Sequence, residues 1–289
     1  MKRFWIALVV FLTLACGWAQ APQSDLERTR IRAEAGNVAA QLTLGRIYFM
    51  GDGVTKDEAE GIRWFRKAAE KGEPQAARIL GLAYEAGLSG VPQDDGKAAY
   101  WFRKASEEGD PTAQIKLAQM YETGRGGLPK DGTQALTLYR KLADKGVAAA
   151  QNKIGDMYEF GRANVPKDEA RALSWYRKAA DQGDLLGLNN AARICLTSSN
   201  PDVRSPMAGL DYAHRAVDLK PDDPELLSTL ARAYYVEEQF QDAVQTQLRA
   251  LDLAPASNKA EYRAALDEYQ RAWDRRKAGA KKTGNWPAK

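Results

Sequence analysis

The residues in this chain best suited to chemistry are carboxylates set at a fixed interval. Glu85, Glu122 and Glu159 stand 37 residues apart, each directly after a tyrosine. Asp57, Asp94, Asp131 and Asp168 keep the same spacing. Acids repeated in this way can form a ladder for basic or polar groups, or cap the helices that carry them. Other chemistries are poorly served. His214 is the single histidine, which leaves no histidine-based metal site or catalytic triad. The acids around Asp52 and Asp57 lack the spacing of a calcium loop. There is neither a glycine-rich phosphate loop nor a serine-nucleophile motif, and Gly51-Asp52-Gly53 and Gly124-Arg125-Gly126-Gly127 read as loops that end helices. The expectation is a protein that is not an enzyme, with no cofactor and no metal.

The elements that would position these acids are repeats. Gly72, Gly109, Gly146 and Gly183 recur every 37 residues, as do Trp64, Trp101, Leu138 and Trp175. A fixed period in the range of about 20–50 residues marks stacked supersecondary units. Ala40, Leu44, Ile47 and Tyr48 make the apolar stripe of a first helix over about residues 38–50, with Gln41 just off it. Gly51, Gly87, Gly124 and Gly161 stop each first helix. Asp57 starts the second helix as its N-cap, and Glu60 is placed to complete a capping box. Trp64, Phe65 and Ala68 share one face of that helix, while Arg63, Lys67 and Glu70 fall largely on the other. Gly45, Gly81 and Gly155 sit mid-helix, where glycine costs about 1 kcal/mol against alanine, and Ala118 takes the same place in the third unit. Only small residues appear there, which implies close contact with the second helix of the same unit. A lone hairpin of helices leaves Leu44, Tyr48, Trp64 and Phe65 partly uncovered, so similar units must stack.

The pattern Leu-Gly-x-x-Tyr, then Gly, then Val-x-x-Asp, then Trp-Tyr/Phe-Arg-Lys-Ala-Ala-x-x-Gly resembles the Sel1-like repeat, a longer relative of the tetratricopeptide repeat. The resemblance covers residues 33–183 in four units. It implies an all-α fold, a right-handed superhelical solenoid of antiparallel helix pairs. Residues 184–220 read as a degenerate fifth unit, opened by Ser205-Pro206, with Cys195 at the tyrosine position and Tyr212 at the tryptophan position. Residues 221–255 match a tetratricopeptide unit at Ala231, Tyr234, Ala243, Ala250 and Pro255. A capping helix is expected over 256–274. The tetratricopeptide register, carried over by alignment, puts Arg46, Phe49, Arg78, Glu85, Gln119, Glu122, Asn152, Asp156, Glu159, Asn189, Arg193, Arg232 and Tyr235 on the concave face. Glu85, Glu122 and Glu159 would then line a groove and grip a basic or polar segment. The resemblance implies a non-catalytic scaffold or adaptor for a protein or peptide partner. Exported relatives linked to β-lactam binding carry a cysteine pair in each repeat. This chain has none, which ranks a cell-wall or β-lactam-directed hydrolase second.

The two ends read differently from the body. Lys2 and Arg3, the apolar run Ile6–Ala15 and the small residues Gly17, Ala19 and Ala21 form a secretory signal peptide over 1–19, followed by a linker over 20–32. The alternative is a lipoprotein acylated at Cys16, although Thr13-Leu14-Ala15 is a poor lipobox. After export a single thiol remains, Cys195, so no internal disulfide framework forms. Residues 275–289 carry six basic side chains and no acid, and read as a disordered basic tail. The formal charge of +4 therefore hides an acidic body, and a nucleic-acid partner is not expected. Membrane contact is expected only through the N-terminus or this tail, and the location is a bacterial envelope, periplasmic.

Overall fold

The second helices start on aspartates, as the spacing requires. Asp57, Asp94 and Asp168 each accept a 2.9 Å hydrogen bond from the amide three residues on, and Asp131 accepts one at 3.0 Å from Gln134. The capping box is only half formed. The Asp57 amide donates to the carbonyl of Tyr48 at 2.8 Å, which leaves Glu60 free to pair with Arg63 at 2.7 Å. That backbone bond recurs at Asp94 to Tyr84, Asp131 to Tyr121 and Asp168 to Tyr158, so the cap residue ties the second helix to the end of the first.

These signals build a computed structural model that describes residues 23–88 and 90–283. Among the described residues there are fourteen α-helices, a short 3-10 turn and no strand. Two compact units emerge, the first ending at Tyr139 and the second starting at Arg140. The first contains α1 (Gln23–Glu34), α2 (Val38–Met50), α3 (Glu58–Glu70), α4 (Pro74–Ala86), α5 (Asp95–Glu107) and α6 (Pro111–Thr123). The division falls within α7 (Gly132–Ala143). The second contains α8 (Ala148–Phe160), α9 (Glu169–Ala180), α10 (Leu185–Thr197), α11 (Pro206–Leu219), α12 (Pro224–Val236), α13 (Phe240–Leu253) and α14 (Lys259–Thr283). Each helix packs on the next from α1 to α6 and from α8 to α14. First helices also touch first helices, α4 with α6, α8 with α10 and α10 with α12. The signal peptide and Cys16 lie outside the described residues.

The core of each unit is the apolar stripe read from the repeat. Leu44, Phe65, Leu80 and Phe102 are fully buried in the first unit, and Ile154, Tyr176, Leu188 and Ile194 in the second. Trp64 and Trp101 are buried, whereas Trp175 is half-buried beneath the Lys178 ammonium, 3.7 Å from its ring centroid. The mid-helix glycines have the expected cause. A Cβ on Gly45 would stand 2.7 Å from the Phe65 ring, one on Gly81 2.5 Å from Phe102, and one on Gly155 2.4 Å from Tyr176. Buried glutamines stitch repeats together. Gln41, Gln114 and Gln151 donate to the carbonyls of Ala33, Ser106 and Ala143 in the preceding helix, at 3.0, 3.2 and 3.2 Å. Each of these carbonyls already accepts the amide of the glycine three residues on, at 3.0–3.1 Å, so the glutamine adds a second bond at the helix end.

Both ends are more helical than composition alone suggests. The expected linker over 20–32 includes most of α1, which packs on α2 through Leu26 and Ala33 and donates from Arg30 to the Tyr48 hydroxyl. It fills the place of a missing second helix. At the other end, α14 continues past residue 274 to Thr283, because arginine, lysine and alanine favour helix and Arg276 pairs with Glu238 at 3.0 Å. Ser205 occupies the N-cap of α11 but makes no side-chain cap bond.

Candidate functional site

Two arginines of the second helices latch the tyrosines of the next first helices. Arg66 donates to the Tyr84 hydroxyl at 2.8 Å, and Arg140 to that of Tyr158 at 3.0 Å. Each arginine precedes its tyrosine by 18 residues. Arg177 keeps that interval to Cys195 and faces its thiol instead. Burial pushes the thiol pKa up, opposed in part by Arg177. Cys195 is fully buried and serves the core.

The three glutamates of the ladder each have internal partners. Glu85 lies 2.7 Å from the Lys116 ammonium and 3.8 Å from Arg125. Glu122 accepts from the Tyr139 hydroxyl at 2.5 Å. Glu159 is buried, and Arg193 grips both its oxygens at 2.6 and 2.7 Å. The Tyr176 hydroxyl lies 2.8 Å from Glu159 and 2.8 Å from Asp156, and burial with these two carboxylates drives its pKa well above the usual value. These charges are largely spent on the fold.

Other residues of the concave register behave similarly. Phe49 is buried against Phe65, with ring centroids 6.0 Å apart, so it belongs to the core between α2 and α3. Arg46 donates to Gln75, and Arg78 pairs with Asp110 at 3.1 Å. Burial, then the neighbouring Arg78, lowers the pKa of Arg46. Gln119 is half-buried on α6. Asn152 is buried and donates to Asp184 at 2.7 Å.

Three register residues do meet at one open feature. Asn189 and Arg193 of α10 and Arg232 of α12 line a cleft of about 650 Å³ whose far wall is α14. Glu225 and Thr229 of α12 and Glu261, Ala265 and Glu268 of α14 complete its rim, and the buried rings of Tyr262 and Tyr269 also line it. Tyr235 borders it, stacked on Tyr269 with centroids 4.7 Å apart. The α14 residues fall outside the sequence expectation, which gives that helix only the role of an end cap. The signal was present in the helical spacing of Tyr262, Leu266, Tyr269 and Trp273. Among the described residues, no group of His, Cys, Asp and Glu could hold a metal ion, and no helix is long and apolar enough to cross a membrane.

A family model described as Sel1 repeat matches residues 38–73, 74–110, 111–147 and 148–184. Among solved structures, c5321, a protective antigen present in uropathogenic Escherichia coli strains and displaying an SLR fold, is 32% identical with a TM-score of 0.68. That likeness covers 78% of this chain and 48% of c5321. Two curated relatives match over shorter stretches. The ERAD-associated E3 ubiquitin-protein ligase component HRD3A of Arabidopsis thaliana is 34% identical over 64 residues, 22% of this chain and 9% of that protein. The secretory immunoglobulin A-binding protein EsiB of Escherichia coli O6:H1 is 46% identical over 44 residues, 15% of this chain and 9% of that protein. The chain thus matches under a tenth of the length of either curated relative, and about half of c5321.

Proposed function

The chain belongs to the Sel1 repeat family, and on that premise we propose that it is a non-catalytic protein-interaction scaffold of the bacterial cell envelope. Its partner segment lies against the first helices of the second unit. The observation that carries this reading is the cleft walled by α10, α12 and α14, where Asn189, Arg193 and Arg232 converge. Stacked helix pairs bind through such extended faces. EsiB is named for binding a protein and HRD3A as a component of a ligase, which agrees with a protein partner. Tyr235 and, in the first unit, Arg46, Arg78 and Gln119 are further candidate contacts. The envelope location rests on the signal-peptide pattern of residues 1–19.

Two measurements test this. A photo-reactive amino acid at Thr229 or Ala265, in the cleft, should trap a partner in living cells, and the same group at exposed Met207 should not. Equal trapping at both places would remove the groove from the reading. Mass spectrometry of the mature protein should find Gln20 at the N-terminus. An acylated Cys16 would make it a lipoprotein, and an intact Met1 would end the export reading.

A further inference from the structure

We infer that the cleft between α10, α12 and α14 receives a lysine- or arginine-bearing segment of the partner protein, an inference that rests on the scaffold reading above. The cleft carries a surplus of acceptors. Glu225, Glu261 and Glu268 line the cleft, and none forms a salt bridge among the described residues. Arg193 is neutralised by its two bonds to Glu159. Glu268 also accepts from the Tyr235 hydroxyl, and among the described residues lining the cleft Arg232 is the remaining cation facing three carboxylates.

Asn189 adds an independent sign. Its side chain is among the cleft-lining groups and only 7% exposed. Its amide nitrogen donates to Glu225 at 3.3 Å, while its buried amide oxygen has no donor. An unmet buried acceptor costs free energy, and a donor entering the cleft can meet this one once the amide turns toward it. An ammonium or guanidinium supplies several N–H donors and no acceptor. The rings of Tyr262 and Tyr269 give the aliphatic stem of such a side chain an apolar surface to lie on. An acidic segment would face three like charges, and an apolar one would cover carboxylates without pairing them.

The test uses the full chain and fluorescently labelled peptides of one scaffold sequence carrying lysine, glutamine or glutamate at alternate positions. Anisotropy should show binding of the lysine peptide, weakening as salt is raised. The double variant Glu261→Gln, Glu268→Gln should weaken it about tenfold. Both positions are exposed on α14, so the fold should survive the change, and Glu108→Gln on the exposed end of α5 should alter nothing. Equal binding of the glutamine or glutamate peptide, or an unchanged lysine affinity in the double variant, would overturn the inference. A partner trapped at Ala265 through a segment without lysine or arginine would overturn it and leave the scaffold reading standing. If nothing is trapped and nothing binds, both fall. If the occupant is the basic stretch 275–289 of a second copy, the protein will self-associate at low salt and lose this on truncation at Asp274. That outcome would replace the partner protein by the chain itself.

Discussion

Gly155→Ala sets helix propensity against packing, and the geometry says packing wins. Alanine in place of glycine inside a helix should gain about 1 kcal/mol. The new methyl, however, would stand 2.4, 2.6 and 2.9 Å from Cε1, Cδ1 and Cζ of Tyr176. That ring is fully buried, and its hydroxyl is held 2.8 Å from Asp156 and 2.8 Å from Glu159. Forcing extra carbon into such a site costs about 1–3 kcal/mol, and a hydrogen bond to a charged group that must lengthen costs about 1.5–3 kcal/mol more. The net expectation is destabilisation by roughly 2–4 kcal/mol. Gly45→Ala should cost less, because its Cβ would meet the Phe65 ring at 2.7 Å and that ring has no hydroxyl to hold it. The assay is urea unfolding followed by circular dichroism. Midpoints are the quantity to compare, since stacked repeats need not unfold in one step. A neutral or stabilising Gly155→Ala, or a Gly45→Ala that costs more, would refute the reasoning. Ala118→Gly completes the set, with an expected loss of about 1–2 kcal/mol from propensity and a buried methyl.

Three further outcomes are expected. Phe49→Ala should lower stability by about 3–5 kcal/mol, as for a buried aromatic, and should leave the lysine-peptide affinity of the folded fraction unchanged. The Lys97 amide holds the Asp94 carboxyl below its ordinary pKa, and Lys167, then Ser198, do the same for Glu169. A depressed folded pKa means that their contribution is whole above the unfolded value of about 4 and is lost as pH falls through the lower folded one. Thermal unfolding should therefore be flat from neutral pH to about 5 and fall below about 4. Asp94→Asn keeps the cap and should blunt that fall, so an unchanged profile would count against the assignment. The Cys195 thiol should react with Ellman's reagent only as fast as the chain unfolds, since burial both shields it and keeps it protonated.

Features written into short stretches of sequence were the legible ones. An aspartate cap, a glycine stop and a small residue opposite an aromatic act within one helix pair, and the chain states each of them several times. The ladder of Glu85, Glu122 and Glu159 was legible as a spacing but not as an environment. Its partners Lys116 and Arg193 come from the following repeats, 31 and 34 residues on, and no local rule couples them. Phe49 shows the same limit. Alignment gave its register, but Gly61, which lets the ring approach α3, decided its burial, and a Cβ there would stand 2.9 Å from Cβ of Phe49. The cleft was the least visible feature, because α14 supplies a wall whose acids repeat nothing earlier in the chain.

The arginine-to-tyrosine latch makes the repeats interchangeable parts with a matching plug and socket. A unit that carries both halves can be repeated, so lengthening the array by copying residues 38–73 in place, with its Tyr48 and Arg66 making the bonds seen at Arg30 and Tyr84, should demand no new contacts. The latch is not made between Arg103 and Tyr121 among the described residues, and at Cys195 its socket is lost, where Arg177 meets a thiol in place of a phenol. Evolution could add or remove units before that point at little risk, whereas the helices after it must stay as they are.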